Sequence, residues 1–317
     1  MQESPIRKLV PLAEAAKKKG IKVIHLNIGQ PDIHTPAAFK DAVNAFDKKV
    51  IAYSFSEGEP DLIEAISGYY RRHGMDFGPG EILITNGGSE ALLFSLIAVT
   101  DPGDEILVPE PFYTNYNGFS VPINVNVVPI TTDSEQAFSL PSREEIEAKI
   151  TPKTKAILFS NPGNPTGAVY SAQEISMLAE IARDRNLYVI ADEVYREFVY
   201  DDLDFVSMGH HPEVADRVII VDSISKRFSA CGARIGSIAT KNRDLVASVL
   251  KLCQARLCVA TLEQAGAKAL YDIDDSYFGP IREEYDHRRT ILHEGLNRIE
   301  GVMCKRPRGA FYLVADL

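Results

Sequence analysis

Seven short apolar runs recur along the chain, and they constrain the fold more than any other feature of the sequence. Within these runs apolar residues occupy consecutive positions, which is typical of strands buried on both faces. Helical patterns separate them. The pattern predicts an α/β protein with a mostly parallel sheet of about seven strands covered by helices. The predicted strands are 81–86, 105–110, 124–131, 156–161, 188–193, 217–223 and 234–240.

Helix start signals stand between these runs. The sequences S-R-E-E at 142–145 and S-A-Q-E at 171–174 both match the capping box, in which a serine and a glutamate satisfy the first free N–H groups of a helix. A third helix is predicted after 35, with Thr35 as its N-cap and Pro36 at its first position, where the fixed φ of proline is favourable.

Both ends of the chain differ from the middle. Residues 45–279 are expected to form a large domain, and 1–44 with 280–317 a smaller α+β lobe. A long charged helix is predicted from about 280, followed by "GAFYLVADL", which has the pattern of a strand. Because the chain stops on this strand with no helix after it, we expect the small lobe to be truncated at its C-terminal end.

Composition excludes several function classes. The chain has 317 residues, 45% hydrophobic and 25% charged, as in ordinary globular proteins. With 34 Lys and Arg against 44 Asp and Glu, a net charge of −10 gives no field for nucleic acid. The four cysteines lack metal-site spacing and are expected to be buried free thiols, so no metal is predicted. No apolar stretch has membrane length, and a cytoplasmic enzyme is expected.

Unusual polar residues follow five of the predicted strands. They are "NGGSEAL", "PFYTNY", "NPGNPTG", the pair Asp192 and Tyr195, and the pair Ser223 and Lys226. Each alone has an ordinary explanation, such as a turn or a helix cap. Open α/β sheets, however, bind ligands beyond the carboxyl ends of their strands. Their convergence on one edge therefore predicts a site there.

Pyridoxal phosphate is a cofactor that needs this combination of groups. A lysine holds its aldehyde, a carboxylate keeps its ring nitrogen protonated, and an aromatic side chain stacks on the ring. Its phosphate needs the N–H groups of a helix start and an arginine. The residues that could supply this set are Lys226, Asp192, Tyr113, Gly88 with Ser89, and Arg234.

At these residues the sequence resembles the class I/II aminotransferases of pyridoxal phosphate fold type I, similar to aspartate aminotransferase. "NPGNPTG", "ADEVY" and "SISKRFSACGARIG" occur in family order, and the resemblance runs from "LNIGQPD" to "GAFYL". It implies Lys226 as the Schiff-base lysine and Asp192 as the partner of the ring nitrogen. It further implies Tyr195 and Asn164 at the phenolic oxygen of the ring, and, at the phosphate, Gly88, Ser89, Ser223 and Arg234.

The resemblance also implies a stacking aromatic, a subunit contact and a substrate pocket. Tyr113 looks like the stacking residue, although the adjacent Phe112 is an open alternative. Tyr53 is similar to a tyrosine that reaches the phosphate of the neighbouring subunit, which implies a homodimer with shared sites. Gly29, with Asn164, would line the substrate pocket. One departure is that the chain ends at Leu317 before the arginine that binds the substrate α-carboxylate in the family.

The activity expected from the resemblance is transamination. An amino group would pass from an amino acid to the cofactor and then to a 2-oxo acid, in ping-pong half-reactions with Lys226 as proton shuttle. The alternatives are a β-lyase using the same cofactor and a non-catalytic module that binds it. A hydrolase with Ser223 as the nucleophile of S-x-x-K is disfavoured, because no S-D-N or K-T-G follows.

Overall fold

A computed structural model describes residues 7–317 and places one seven-stranded sheet at the centre of the molecule. The predicted fold class and all seven strands are confirmed. In spatial order the strands run β1-β7-β6-β5-β4-β2-β3. Their bounds are β1 Ile82–Thr85, β2 Glu105–Glu110, β3 Asn126–Thr131, β4 Thr154–Ser160, β5 Tyr188–Asp192, β6 Val218–Ser223 and β7 Gly236–Ala239.

One strand runs against the other six. The neighbours from β3 to β6 pair in parallel, whereas β7 is antiparallel to both β1 and β6. The carboxyl ends of six strands therefore share an edge with the amino end of β7. Arg234 comes just before β7, so the reversed direction of this strand brings Arg234 to that edge.

Helices cover both faces of the sheet. They are α1 Val10–Lys18, α2 Ala37–Asn44, α3 Pro60–Arg72, α4 Gly87–Val99, α5 Asn115–Ser120, α6 Arg143–Glu147, α7 Ala172–Arg185, α8 Ile224–Arg227, α9 Arg243–Arg256, α10 Thr261–Tyr271 and α11 Phe278–Leu296. Both predicted capping boxes are present, at the starts of α6 and α7. The predicted cap at Thr35 is wrong, because its hydroxyl donates to the Ser229 carbonyl at 2.7 Å and Pro36 takes the N-cap position instead.

Alternate residues of each strand point to opposite faces of the sheet. In β6, Ile219 and Val221 pack with the face covered by α4, α5 and α9, here called the α4 face. Val218 and Ile220 pack with the face covered by α3, α7 and α10, here called the α3 face. Continuing the alternation places Ser223 on the α4 face and Asp222 on the α3 face.

The C-terminal part differs from the sequence prediction. The charged helix is confirmed as α11. The strand predicted at the chain end is wrong: between 297 and 317 only isolated bridges occur, Val199 with Gly309 and Met303 with Asp316. The backbone N–H groups of Gly309 and Ala310 donate to the carbonyls of Gly167 and Phe198 at 2.9 and 2.8 Å, so loops rather than a sheet neighbour take up these groups.

The remaining expectations on organisation meet a mixed outcome. The large domain at 45–279 and the small lobe stay predictions. Helix α2, assigned to the small lobe, packs against α10, where the Phe39 ring lies 2.7 Å from a Cβ built at Gly266.

All four cysteines are free, but only Cys253 and Cys304 are buried. Full burial is thus wrong for Cys231, which begins a short 3-10 helix after α8, and for Cys258, which follows α9. Within 7–317, no helix is long and apolar enough to cross a membrane.

Candidate active site

Lys226 lies in the short helix α8, directly after the interior strand β6. Its Nζ donates to the carbonyl oxygen of Gly29 at 2.8 Å, so the segment that carries Gly29 contacts the lysine. Burial lowers the pKa of Lys226, and the nearby Cys231 and Asp192 oppose that shift. A lowered pKa leaves more of the amine unprotonated at neutral pH, which is the form that attacks an aldehyde.

Asp192 ends β5 and projects onto the α4 face. It is only 5% exposed, and its carboxylate accepts from the Tyr116 hydroxyl at 2.9 Å. Burial raises the pKa of Asp192 to about 6, although the hydrogen bond from Tyr116 lowers it. The Asp192 carboxylate accepts from a hydroxyl and a backbone amide, but within 7–317 it forms no ion pair. A buried acid in this situation is suited to bind a cationic partner. Tyr116 was missed from the sequence, where "PFYTNY" was read only for its stacking residue.

Tyr195 and Asn164 lie together, as predicted. The Asn164 amide nitrogen is 3.5 Å from the Tyr195 hydroxyl oxygen. The Tyr195 hydroxyl also shares a 2.6 Å hydrogen bond with Tyr312, which sequence reasoning missed although it lies in the quoted motif "GAFYL". Burial raises the pKa of Tyr195 well above its ordinary value. Tyr195 therefore stays a neutral phenol that can donate a hydrogen bond.

Gly29 fills a space that no side chain could share. A Cβ built at Gly29 would lie 1.9 Å from the Tyr312 hydroxyl oxygen, while the carbonyl of Gly29 holds Lys226. A glycine is required there because the backbone passes between these two groups.

A cradle of backbone N–H groups forms where α4 begins. Gly87, Gly88 and Ser89 occupy its first three positions, whose N–H groups have no acceptor within the helix. Arg234 reaches this point, since a Cβ built at Gly87 would lie 2.2 Å from its Nη2. Arg234 also has a left-handed φ of 55°. Helix N–H groups beside a guanidinium suit an anionic phosphate.

Ser223 is at the same edge, but its hydroxyl is already used within the turn. It donates toward the Ile235 carbonyl at 3.0 Å and the Ser225 hydroxyl at 2.7 Å, and accepts from the Ser225 N–H at 3.0 Å. To bind phosphate, this hydroxyl has to redirect its proton.

The two candidate stacking residues point to different surroundings. The Tyr113 hydroxyl accepts from Asn115 at 2.7 Å, and burial with the charge of Asp192 raises the pKa of Tyr113. Phe112 lines a small pocket with Phe138 and Phe159, and Tyr116 and Asn164 also line this pocket. Proximity to Asp192 favours Tyr113.

Tyr53 lies apart from this group. It is 81% exposed, and the same segment exposes Val50, Ile51 and Phe55. The structure of one chain does not bring Tyr53 to the site.

The residues at the sheet edge fit pyridoxal phosphate in three respects. Gly87 of the cradle lies against the Arg234 guanidinium, the acid Asp192 is buried with no ion pair to another described residue at its carboxylate, and Lys226 carries an amine with lowered pKa. Among residues 7–317 no group of three or more His, Cys, Asp or Glu side chains could hold a metal ion.

Comparisons with known proteins agree with this geometry. The family model of aminotransferase class I and II matches residues 21–317. Aspartate aminotransferase of Thermotoga maritima is 34% identical over 320 residues, covering 99% of this chain and 83% of that protein. The solved alanine aminotransferase of Pyrococcus furiosus superposes with a TM-score of 0.93 at 34% identity, covering 99% of this chain and 81% of that one. Aspartate aminotransferase of Rhizobium meliloti gives 0.94 at 31%, covering 99% and 80%.

The fold and the comparisons together define an enzyme of the transferase class. The chain belongs to the class I and II aminotransferase family. It is therefore a transferase that moves amino groups, as the sequence predicted, and the interpretations as a hydrolase or a non-catalytic module are not supported.

Proposed function

We propose that the chain binds pyridoxal phosphate covalently at Lys226 and uses it for ping-pong transfer of an amino group from an amino acid to a 2-oxo acid. The observation that carries the assignment of residues is the meeting of Lys226, Asp192 and Arg234 at one sheet edge. When bound, the cofactor supplies an electron sink for the charge that develops at the substrate Cα.

Each residue has a role that follows from its surroundings. Lys226 holds and returns the proton at the substrate Cα through an amine of lowered pKa. Asp192 would keep the ring nitrogen protonated, because the positive charge of that nitrogen would offset the cost of burying the Asp192 carboxylate. Tyr195 and Asn164 would donate to the phenolic oxygen of the cofactor, and Tyr113 would stack on its ring. The phosphate is bound by Arg234, Ser223 and the N–H groups of Gly88 and Ser89.

The substrate stays open between small and acidic amino acids. Two relatives are named as aspartate aminotransferases and one as an alanine aminotransferase, at similar identity to this chain. Gly29 and Asn164 are proposed to line the pocket for the amino acid. The cytoplasmic location stays a prediction.

The deciding experiment is an absorbance spectrum of the purified protein loaded with pyridoxal phosphate, repeated after adding single amino acids. We expect a visible band that aspartate or alanine converts to the band of pyridoxamine phosphate, with release of a 2-oxo acid and no ammonia. Ammonia with pyruvate would identify a β-lyase instead. A protein that gives no band with the cofactor would contradict the proposal.

We further propose a homodimer in which Tyr53 reaches the phosphate of the other subunit. The exposed apolar side chains beside Tyr53 support an interface there, since exposed apolar patches mark contact surfaces. We expect light scattering to give about twice the 35.0 kDa of one chain. Tyr53→Phe should weaken cofactor affinity about tenfold by removing one hydrogen bond to phosphate. A monomer with unchanged affinity in this variant would refute the shared site.

A further inference from the structure

Four charged side chains are buried on the α3 face, directly behind the site. Glu193, Arg196, Asp222 and Arg227 are 0%, 4%, 1% and 1% exposed, and they are here called the buried ion network. Charges are rarely buried so completely unless they pair, because removing them from water is costly. Folding of the sheet alone therefore does not explain why these four charged side chains are buried together.

The contacts of the network join two neighbouring strand ends. Arg227 Nη2 lies 2.6 and 2.5 Å from the two Asp222 carboxylate oxygens. Arg196 donates from Nη1 to Asp222 at 3.3 Å and from Nη2 to Glu193 at 2.6 Å. Glu193 follows β5 and Asp222 belongs to β6. Arg196 therefore connects the ends of these two strands on the α3 face of the sheet.

Surrounding groups fix the network on its remaining sides. Glu193 also accepts from the Ser207 hydroxyl at 2.8 Å and the Met208 N–H at 3.0 Å. The Arg227 guanidinium lies 4.3 Å from the ring centre of Tyr69, and that of Arg196 lies 5.3 Å from the ring centre of Tyr70. The carboxylates and the aromatic faces restrict both guanidiniums, although Arg227 Nε and Nη1 and Arg196 Nε have no hydrogen-bond partner among the described residues.

All four network residues are immediate chain neighbours of proposed site residues. Glu193 follows Asp192, Arg196 follows Tyr195, Asp222 precedes Ser223, and Arg227 follows Lys226. Asp192 and Ser223 point to the α4 face, whereas Asp222 points to the α3 face. Holding the network side chains therefore fixes the backbone from which the site side chains project.

We propose that the buried ion network positions Lys226 relative to Asp192, with Arg227 as the principal positioning residue. None of the four is a catalytic residue. Buried ion pairs often contribute little stability compared with apolar side chains of similar size, so their retention here is explained by geometry. This inference rests on the proposed function, because it takes Lys226 as the lysine that bonds the cofactor.

The test compares Arg227→Met with a matched control, Arg289→Met. Arg289 is also buried, at 6%, pairs with Asp201 at 2.7 Å, and lies 4.5 Å from the ring centre of Tyr200, but it belongs to α11. Each variant is mixed with pyridoxal phosphate, treated with borohydride at timed intervals, and analysed by mass spectrometry for label fixed at Lys226. Binding of pyridoxine phosphate, which has no aldehyde, is measured by fluorescence.

We expect Arg227→Met to slow labelling of Lys226 about tenfold or more, because misplacing a reacting group by about 1 Å has large kinetic effects. Pyridoxine phosphate should bind within about threefold of the parent, since the phosphate cradle is not altered. Arg289→Met should label at the parent rate. Asp222→Asn with Arg227→Met should recover part of the lost thermal stability by removing a buried charge that keeps only Arg196 as its ionic partner, yet keep the slow labelling.

The outcomes separate positioning from stability. Parent-rate labelling of Arg227→Met, or recovery of both stability and labelling in the double variant, would overturn the inference. If Arg227→Met does not fold, Arg227→Lys decides in its place: it keeps the charge and loses the planar guanidinium that lies over the Tyr69 ring, so slow labelling supports positioning and parent-rate labelling refutes it. Absence of label at Lys226 in the parent protein would refute the proposed function itself.

Discussion

Lys226→Ala is expected to abolish amino-group transfer while the protein stays folded. The substitution removes the amine that would bond the cofactor and move the Cα proton, and a positioned acid–base group contributes about 100- to 10,000-fold to such a step. Together with the loss of covalent attachment, we expect activity to fall by about 1,000-fold or more. The measurement is turnover of the preferred amino acid at saturating cofactor, beside a thermal unfolding curve.

Two further variants show which property of Lys226 the transfer reaction requires. Lys226→Arg keeps a cation but cannot supply a neutral amine, so it should be as inactive as the alanine variant. Lys251→Ala removes an exposed lysine of α9 and should keep the parent rate. Turnover by Lys226→Ala at the parent rate would show that the assignment of the lysine is wrong.

Much of the fold could be predicted because the strands have a strong local signal. β4, β5 and β6 each contain a run of consecutive apolar residues, and burial on both faces requires such runs. The direction of β7 has no such signal, since an antiparallel strand in the sheet interior is equally apolar. The strand predicted at the chain end was wrong because an apolar composition alone does not supply a neighbouring strand for its backbone groups.

Candidate residues of the site could be predicted where a side chain suited to the chemistry stands at the end of a predicted strand. Lys226 and Asp192 are polar groups at the ends of apolar strands, and the structure brings them to one edge. Tyr116 and Tyr312 were missed because their contacts, to Asp192 and Tyr195, join residues 76 and 117 positions apart. Sequence spacing carries no information on such contacts.

The buried ion network was missed for a related reason. Asp222, Arg227, Glu193 and Arg196 stand beside the site residues in the chain, where charged residues are usually explained as solvated surface. Only the alternation of side chains across the sheet, together with the helices on the α3 face, shows that they are enclosed. The charge of a residue is visible in the sequence, but its burial is a property of the packed layers.

Asp192→Asn is expected to stabilise the cofactor-free protein while reducing its use of cofactor. Burial raises the pKa of Asp192 from 3.8 to about 6, so the folded state binds more protons than the unfolded state between these values. The stability of the parent therefore falls as pH rises through that range. With about 1.4 kcal/mol for each pKa unit, the variant should be up to about 3 kcal/mol more stable above about pH 6 and equal below about pH 4.

With pyridoxal phosphate bound, the parent should be more stable than Asp192→Asn, because a cationic ring nitrogen stabilises the carboxylate but gains nothing from an amide. Urea unfolding with and without pyridoxal phosphate, at about pH 4 and about pH 8, measures both effects. Asp76→Asn, at a side chain 94% exposed, is the matched control and should change neither. The amide oxygen introduced by Asp192→Asn can still accept from Tyr116, so lower stability of the cofactor-free variant at about pH 8 would mean that the ionised carboxylate is already satisfied in the fold. Its burial would then no longer indicate a missing cationic partner, and the assignment of Asp192 to the ring nitrogen would lose its physical basis.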